Sequence, residues 1–310
     1  MVDIRPPAGV ETFEHNAALT LAKRNMIVAV FGWSKTGKTH FAIRCQRPLY
    51  LAYLDPRPDI EQMLLAAEAE FPGKVHILRL APVAYENLTR EEAASRVKKV
   101  EDFAAWARAQ AGEDVSNGLP GGTFVLDGGT MFKGYTEKDL LGESATLGYR
   151  AKKGERGGPS TFDYAVSNGA LRDFVSAFSG SALDVVITWE GRMTYKDVWD
   201  GDVKRSQATG RYKTTMPDRV PFAMNAEVET LFAIEDVVAD NKKVGEKVVP
   251  KIRIGWNGYG PHLQGRLMNA KDFAGLKRLF LADLPDEQEA ELAPLGAEVR
   301  EANTAGLEAE

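Results

Sequence analysis

The sequence predicts an α/β fold, a mostly parallel sheet flanked by helices, on three observations. Short apolar runs rich in β-branched residues recur along the chain, and segments with helical periodicity separate them. The first of these runs passes straight into a glycine-containing loop and then a breaker-free segment, the order strand, loop, helix. With 310 residues, 44% hydrophobic and 27% charged, the chain can build a sizeable core, and a fibrous or wholly disordered protein is excluded. No apolar run approaches the roughly 20 residues of a membrane-spanning helix. The first residues lack the basic-then-apolar layout of a signal peptide, so a cytoplasmic protein without membrane contact is expected. One cysteine, Cys45, and four scattered histidines (His15, His40, His76, His262) speak against a disulfide or structural-metal scaffold.

In chain order, residues 1–24 are mixed and Pro-containing and read as a leader. Met26–Phe31 is a continuous apolar run suited to a strand buried on both faces, and Lys38–Cys45 continues as a helix. Strands are predicted over 49–54, 75–80, 123–126 and 184–189. A helix is expected over about 90–110, with Thr89 and Glu92 at capping-box spacing and Trp106 on its apolar face, and another over about 162–178. Two runs, 226–234 and 248–256, flank a polar turn at 240–245, so the chain is expected to gain antiparallel β additions after residue 225. A last helix is placed at about 271–281. The net charge of −5 is uneven: nine acids and one base from Asp283 to Glu310 give that stretch −8 and leave +3 elsewhere. The expected organisation is a leader at 1–24, one domain over 25–282 and an acidic, flexible tail over 283–310.

Gly32-Trp-Ser-Lys-Thr-Gly-Lys-Thr39 matches G-x-x-x-x-G-K-[ST] in full. A loop that closes backbone N–H groups around phosphate oxygens needs glycine where the ligand comes near, and a following helix adds partial positive charge. Gly32, Ser34, Lys35, Thr36, Gly37, Lys38, Thr39 and the adjoining His40 are therefore the candidate cradle for ATP. Lys38 would neutralise the β- and γ-phosphates and Thr39 would hold Mg²⁺. The metal also calls for a carboxylate at the end of a neighbouring buried strand, and Asp127, closing Thr123-Phe-Val-Leu-Asp127, supplies it. Hydrolysis requires a group that orients water. Asp55, after the 49–54 run, and Glu190, after the 184–189 run, are the candidates; Asp55 has the bland alternative of joining the Asp55-Pro-Arg-Pro58 turn.

Two segments are basic. Residues 148–158 carry Arg150, Lys152, Lys153 and Arg156 against one acid, and residues 192–219 carry seven bases against four acids, among them Lys204, Arg205, Arg211 and Lys213. Tyr149, Tyr195, Trp199 and Tyr212 interleave aromatic rings with this charge, the composition of flexible loops that bind single-stranded nucleic acid by stacking and phosphate neutralisation. Ordinary solvated loops, or an arginine acting on a neighbouring subunit's nucleotide, are the competing readings.

Together, the phosphate loop, the acid-ended second strand, Phe124-Val-Leu-Asp127, Asp163-Tyr164 opening a helix and Ile187-Thr-Trp-Glu190 resemble the RecA-like P-loop ATPases of phages, the AAA-domain or phage nucleotide-binding proteins that include single-strand annealing recombinases. The likeness covers about residues 26–260. Many relatives carry Asp-Ser where this chain has Asp127-Gly128, and His or Gln where it has Trp189-Glu190. The resemblance implies a RecA-like core with its Walker B strand apart from the phosphate-loop strand. It further implies a DNA-stimulated Mg²⁺-ATPase of recombination, annealing or replication, assembled as a ring or filament, with single-stranded DNA and a single-strand-binding protein as partners. Two other classes stay open: a small-molecule phosphotransferase with 148–158 as an arginine-bearing lid, and a nucleotide-switched assembly or packaging component.

Overall fold

The computed structural model describes residues 25–142 apart from 71 and 82, then 161–200, 203–217, 226–239 and 242–257, with isolated positions up to 301. The leader, residues 148–158, and the tail other than Arg300 and Glu301 lie outside these.

The apolar runs form strands because a β-branched, continuous apolar segment can bury both of its faces only inside a covered sheet. β1 (Ile27–Gly32) is buried at all six positions, as are β2 (Leu49–Tyr53) and β4 (Thr123–Asp127) at all five. β3 (Val75–Arg79) lies at the edge and is only half-buried. β5 spans Asp184–Asp200, β6 Val203–Thr214, β7 Ala226–Ala239, β8 Lys242–Asn257, and β9 the two residues Leu267–Met268. The sheet order is β3-β2-β4-β5-β1-β7-β8-β9, with β6 on β5, so β5 stands between β1 and β4.

Period-two alternation divides each core strand between two faces. Ile27, Ala29 and Phe31 face a core built with α3 (Arg90–Ser116), α4 (Gly129–Leu141) and α5 (Thr161–Ser176). Val28 and Val30 face a second core with α1 (Lys38–Ile43) and α2 (Pro58–Glu70). Each fully buried Val or Ile contributes about 1.5–3 kcal/mol relative to exposure, so the doubly covered strands are the rigid frame on which the site is mounted. At the start of α3 the capping box forms as its spacing predicts, Glu92 N donating to Thr89 Oγ1 at 3.1 Å and Thr89 N to Glu92 Oε2 at 3.2 Å.

Several expectations are corrected. The antiparallel additions after residue 225 are present as β7–β8 and β8–β9, but antiparallel pairing already starts at Gly191, because β5 runs on past the sheet and pairs with β6 from Gly191–Thr214 to Asp200–Val203. At residue 226 the chain is still parallel to β1, Val28 to Phe31 pairing with Ala226 to Glu229, while β8 is antiparallel to β7. Lys242–Gly245, expected in the turn, belong to β8. The first helix ends at Ile43, two residues early, and α3 runs to Ser116. Trp106 is 43% exposed at the border of that helix's apolar face, packing edge-on against Tyr50 and His76. Within the acidic tail, Arg300–Glu301 pair antiparallel with Ile234 and Ala233 of β7, where β7 has passed the end of β1. Of the last helix only Phe273 and Leu276 are described, both buried. Among the described residues no helix is long and apolar enough to cross a membrane.

Candidate functional site

A cleft of about 960 Å³ opens at one edge of the parallel sheet between the Gly32–Thr39 loop, the end of β4, the Thr188–Gly191 stretch of β5, and the middle of β7 and β8. Gly32, Ser34, Lys35, Thr36, Gly37, Lys38, Thr39, His40, Asp55, Asp127 and Glu190 all line it. The structure thus brings together every candidate nucleotide, metal and water-orienting residue read from the sequence.

The loop has its shape for local reasons. A Cβ on Gly32 would lie 2.4 Å from the Thr230 carbonyl oxygen, so only glycine lets the chain leave β1 against β7. Gly37 caps α1 in the left-handed region at φ 87°. Thr36 is turned into the sheet: its hydroxyl meets Thr230 Oγ1 at 2.8 Å and donates to the Trp33 carbonyl at 2.9 Å. Lys38 arches over the loop and donates to the carbonyls of Gly32 (3.1 Å) and Trp33 (2.7 Å). Burial pulls its ammonium down to about 8, against the opposing pull of the Asp127 and Glu190 carboxylates. His40 is exposed on α1, and partial burial lowers its pKa.

Asp127 is the centre of the site. It is 5% exposed at the end of β4, and it accepts from Thr39 Oγ1 at 3.1 and 3.0 Å and from Thr188 Oγ1 at 2.7 Å. Burial raises its pKa, opposed by these hydroxyls and by the charges of Arg57 and Lys38. Thr188 sits opposite it in register and also accepts from Gly128 N at 2.9 Å, fixing the turn into α4. The Thr39–Asp127 pair, one hydroxyl and one carboxylate in reach of Lys38, fits a Mg²⁺ ion held mainly by phosphate oxygens and water. Among the described residues there is no group of three or more His, Cys, Asp or Glu that could hold a metal ion.

The two water-orienting candidates differ in setting. Asp55 is exposed on the loop after β2, its carboxylate 4.0 Å from Arg57 Nε. Glu190 is exposed beside Gly32, and its backbone is clamped: its N–H donates to Thr130 Oγ1 at 3.0 Å and its carbonyl accepts from Thr215 N at 3.0 Å.

Sequence reading missed Arg57, Thr188, Thr130, Thr215, Thr230 and Lys251, all but Thr215 lining the cleft. Thr188 carried a usable signal, a hydroxyl inside the apolar run Val185–Trp189. Arg57 was hidden in a Pro-x-Pro segment that reads as a turn, and Thr230 and Lys251 lie on strands whose approach to the loop depends on sheet order.

The second basic segment is not a flexible loop but the β5–β6 hairpin that leaves the sheet beside the cleft. Lys204, Arg205, Arg211, Tyr212 and Lys213 all lie on β6; Lys204, Arg205, Tyr212 and Lys213 stand opposite Trp199, Val198, Met193 and Arg192 of β5, and Arg211 falls where the register shifts. Arg192 and Lys213 are directly paired in register and both exposed. Arg150, Lys152, Lys153 and Arg156 lie outside the described residues.

No protein-family model matches this chain, and no curated protein matches it at a significant level.

Proposed function

We propose that this chain is a RecA-like P-loop ATPase that binds and hydrolyses Mg²⁺-ATP and acts on single-stranded DNA. The buried Thr39–Asp127 hydrogen bond carries this reading. It joins the last residue of the phosphate-loop motif to the carboxylate that the motif's metal calls for at the end of Phe124–Asp127, across one strand of a parallel sheet. Lys38 supplies the compact cation for the β,γ-oxygens and the amides of residues 34–38 the donors. Thr39 and Asp127 would hold the metal, which when bound withdraws charge from the phosphates. Asp55 and Glu190 stand at the rim of the same cleft as carboxylates able to orient water.

The hairpin supports the nucleic-acid part. Like charges placed directly across a β-ribbon repel, and Arg192 opposite Lys213 is relieved when a phosphate backbone lies along both. Tyr195 on the same strand, 63% exposed, offers a ring for base stacking. Association into a ring or filament and contact with a single-strand-binding protein remain part of the proposal through the family resemblance.

ATP hydrolysis measured with and without single-stranded DNA tests the reading. Turnover that rises with DNA is the expected result. Hydrolysis indifferent to DNA would favour a nucleotide switch, and hydrolysis only with an added small acceptor would favour a phosphotransferase.

A further inference from the structure

Arg57 has no place in the sequence reading, yet it stands at the metal-binding pair. Its backbone is held on every side. Pro56 and Pro58 fix the chain around it, its N–H donates to the phenol of buried Tyr53 at 2.6 Å, and its carbonyl accepts from Ile60 and Glu61 N at 3.1 and 3.0 Å. The side chain reaches into the cleft and one terminal N–H donates to Thr39 Oγ1 at 3.1 Å. The single hydroxyl proton of Thr39 goes to Asp127, so guanidinium, hydroxyl and carboxylate form one chain of hydrogen bonds. Arg57 Nε is buried and has no hydrogen-bond partner among the described residues; its neighbouring anion, Asp55, is 4.0 Å away.

A metal ion on Thr39 needs the hydroxyl lone pair that faces this guanidinium, at a distance of about 2.1 Å. A guanidinium cannot shed its charge, so the two cations compete for the same oxygen and the same carboxylate field. The group that can draw Arg57 off Thr39 is an oxyanion in the same cleft, and a phosphate takes its planar fork with two bonds.

On the ATPase reading above, we propose that Arg57 is a tethered counter-cation that guards Thr39 and Asp127 against a bare metal ion and passes to the terminal phosphates when the metal arrives as the nucleotide complex. The backbone restraints keep the guanidinium within reach of both positions while leaving the side chain to move. The protein then loads metal and nucleotide together, and an occupied metal site reports nucleotide.

Mn²⁺ binding by the full-length protein, followed by electron paramagnetic resonance, tests this. Without nucleotide, Arg57→Ala should bind Mn²⁺ at least about tenfold more tightly than the wild type, because the competing charge is gone. Arg57→Gln, which keeps a donor for Thr39 but no charge, should shift the same way and covers the case in which the alanine variant does not fold. With ATP present, both variants should bind the Mn²⁺ complex about tenfold more weakly, having lost the charged contact to phosphate. Unchanged Mn²⁺ affinity without nucleotide in the folded variants would overturn the guard role. Lys38→Ala separates the two levels: if it loses the Mn²⁺-ATP complex while the Arg57 variants behave as wild type, only the guard fails. If it binds the complex as the wild type does, the phosphate-loop reading itself fails.

Discussion

β4 and β5 lie side by side in the sheet and end differently. β4 stops at Asp127, where Gly128 and Gly129 turn the chain at once into α4. β5 passes the same level at Thr188 and continues for twelve residues to Asp200, joined to β6 for its last ten. The first strand places one carboxylate and withdraws; the second carries the frame of the cleft outward into a ribbon. Glycine decides the contrast at residues 128 and 129, whereas β5 meets a single glycine, Gly191, that stays in the extended strand and at which a Cβ would lie 2.8 Å from the Gly32 carbonyl carbon. A sheet edge thus presents two kinds of surface within one strand spacing: a buried carboxylate bonded by two hydroxyls, and a ribbon on which the paired Arg192 and Lys213 are exposed.

Variants at the pocket should have the largest effects. Lys38→Ala removes the cation over the loop, and ATP binding measured by isothermal titration should fall by about 10²-fold or more, with turnover lost. Asp127→Asn should leave nucleotide bound but lower Mg²⁺-dependent turnover by about 10²-fold, read in a coupled phosphate assay. Since burial already disfavours the ionised Asp127, the carboxamide should melt no earlier than the wild type in circular dichroism. A variant that keeps full turnover would place the metal carboxylate elsewhere and remove the contrast with β5.

The pH response sharpens the same point. Lys38 loses its proton near pH 8 rather than near 10.5, so ATP affinity should be flat below about 8 and fall by about tenfold per unit above it. Binding near pH 8.5 should take up protons, which titrations in buffers of different ionisation enthalpy will reveal. Lys38→Ala should abolish that uptake, whereas changes on the ribbon should leave it unaltered.

The ribbon's own effect is smaller and differs in kind. Neutralising Arg211 and Lys213 together should reduce the slope of log affinity for single-stranded DNA against log salt by about 1.4, the value for two phosphate contacts. ATP affinity in the same protein should stay within about twofold. An unchanged slope would show that β6 does not touch the DNA backbone.

Legibility in the sequence follows the same division. The buried strands were readable because continuous apolar runs such as Ile27–Phe31 and Phe124–Leu126 have few alternatives, and the loop was readable because its chemistry restricts residue type at fixed spacing. The ribbons were not. Gly191–Asp200 breaks the polar–apolar alternation at Lys196-Asp197 and Val198-Trp199, so with its charges it reads equally as a loop, and pairing with β6 is a tertiary fact. The direction of β7 depended on its neighbour β1, some 200 positions earlier in the chain, which no local pattern encodes. Of the site, residues carried by the motif or by strand ends were found. Arg57, Thr188 and Thr230 were missed because their roles arise from proximity across strands.

The place of β1 at the middle of the sheet also sets a schedule for biosynthesis. Its apolar residues pair with Val185 and its neighbours on one side and with Ala226 onward on the other, and Met26 N bonds to Asp184 Oδ1 across 158 positions. On a ribosome adding about 5–20 residues per second, roughly 8–30 s pass before the first partner strand emerges. Until then Met26–Phe31 is a naked, aggregation-prone segment, a natural client for chaperones, and the phosphate loop beside it cannot close before the strand that starts at Ala226 has been made.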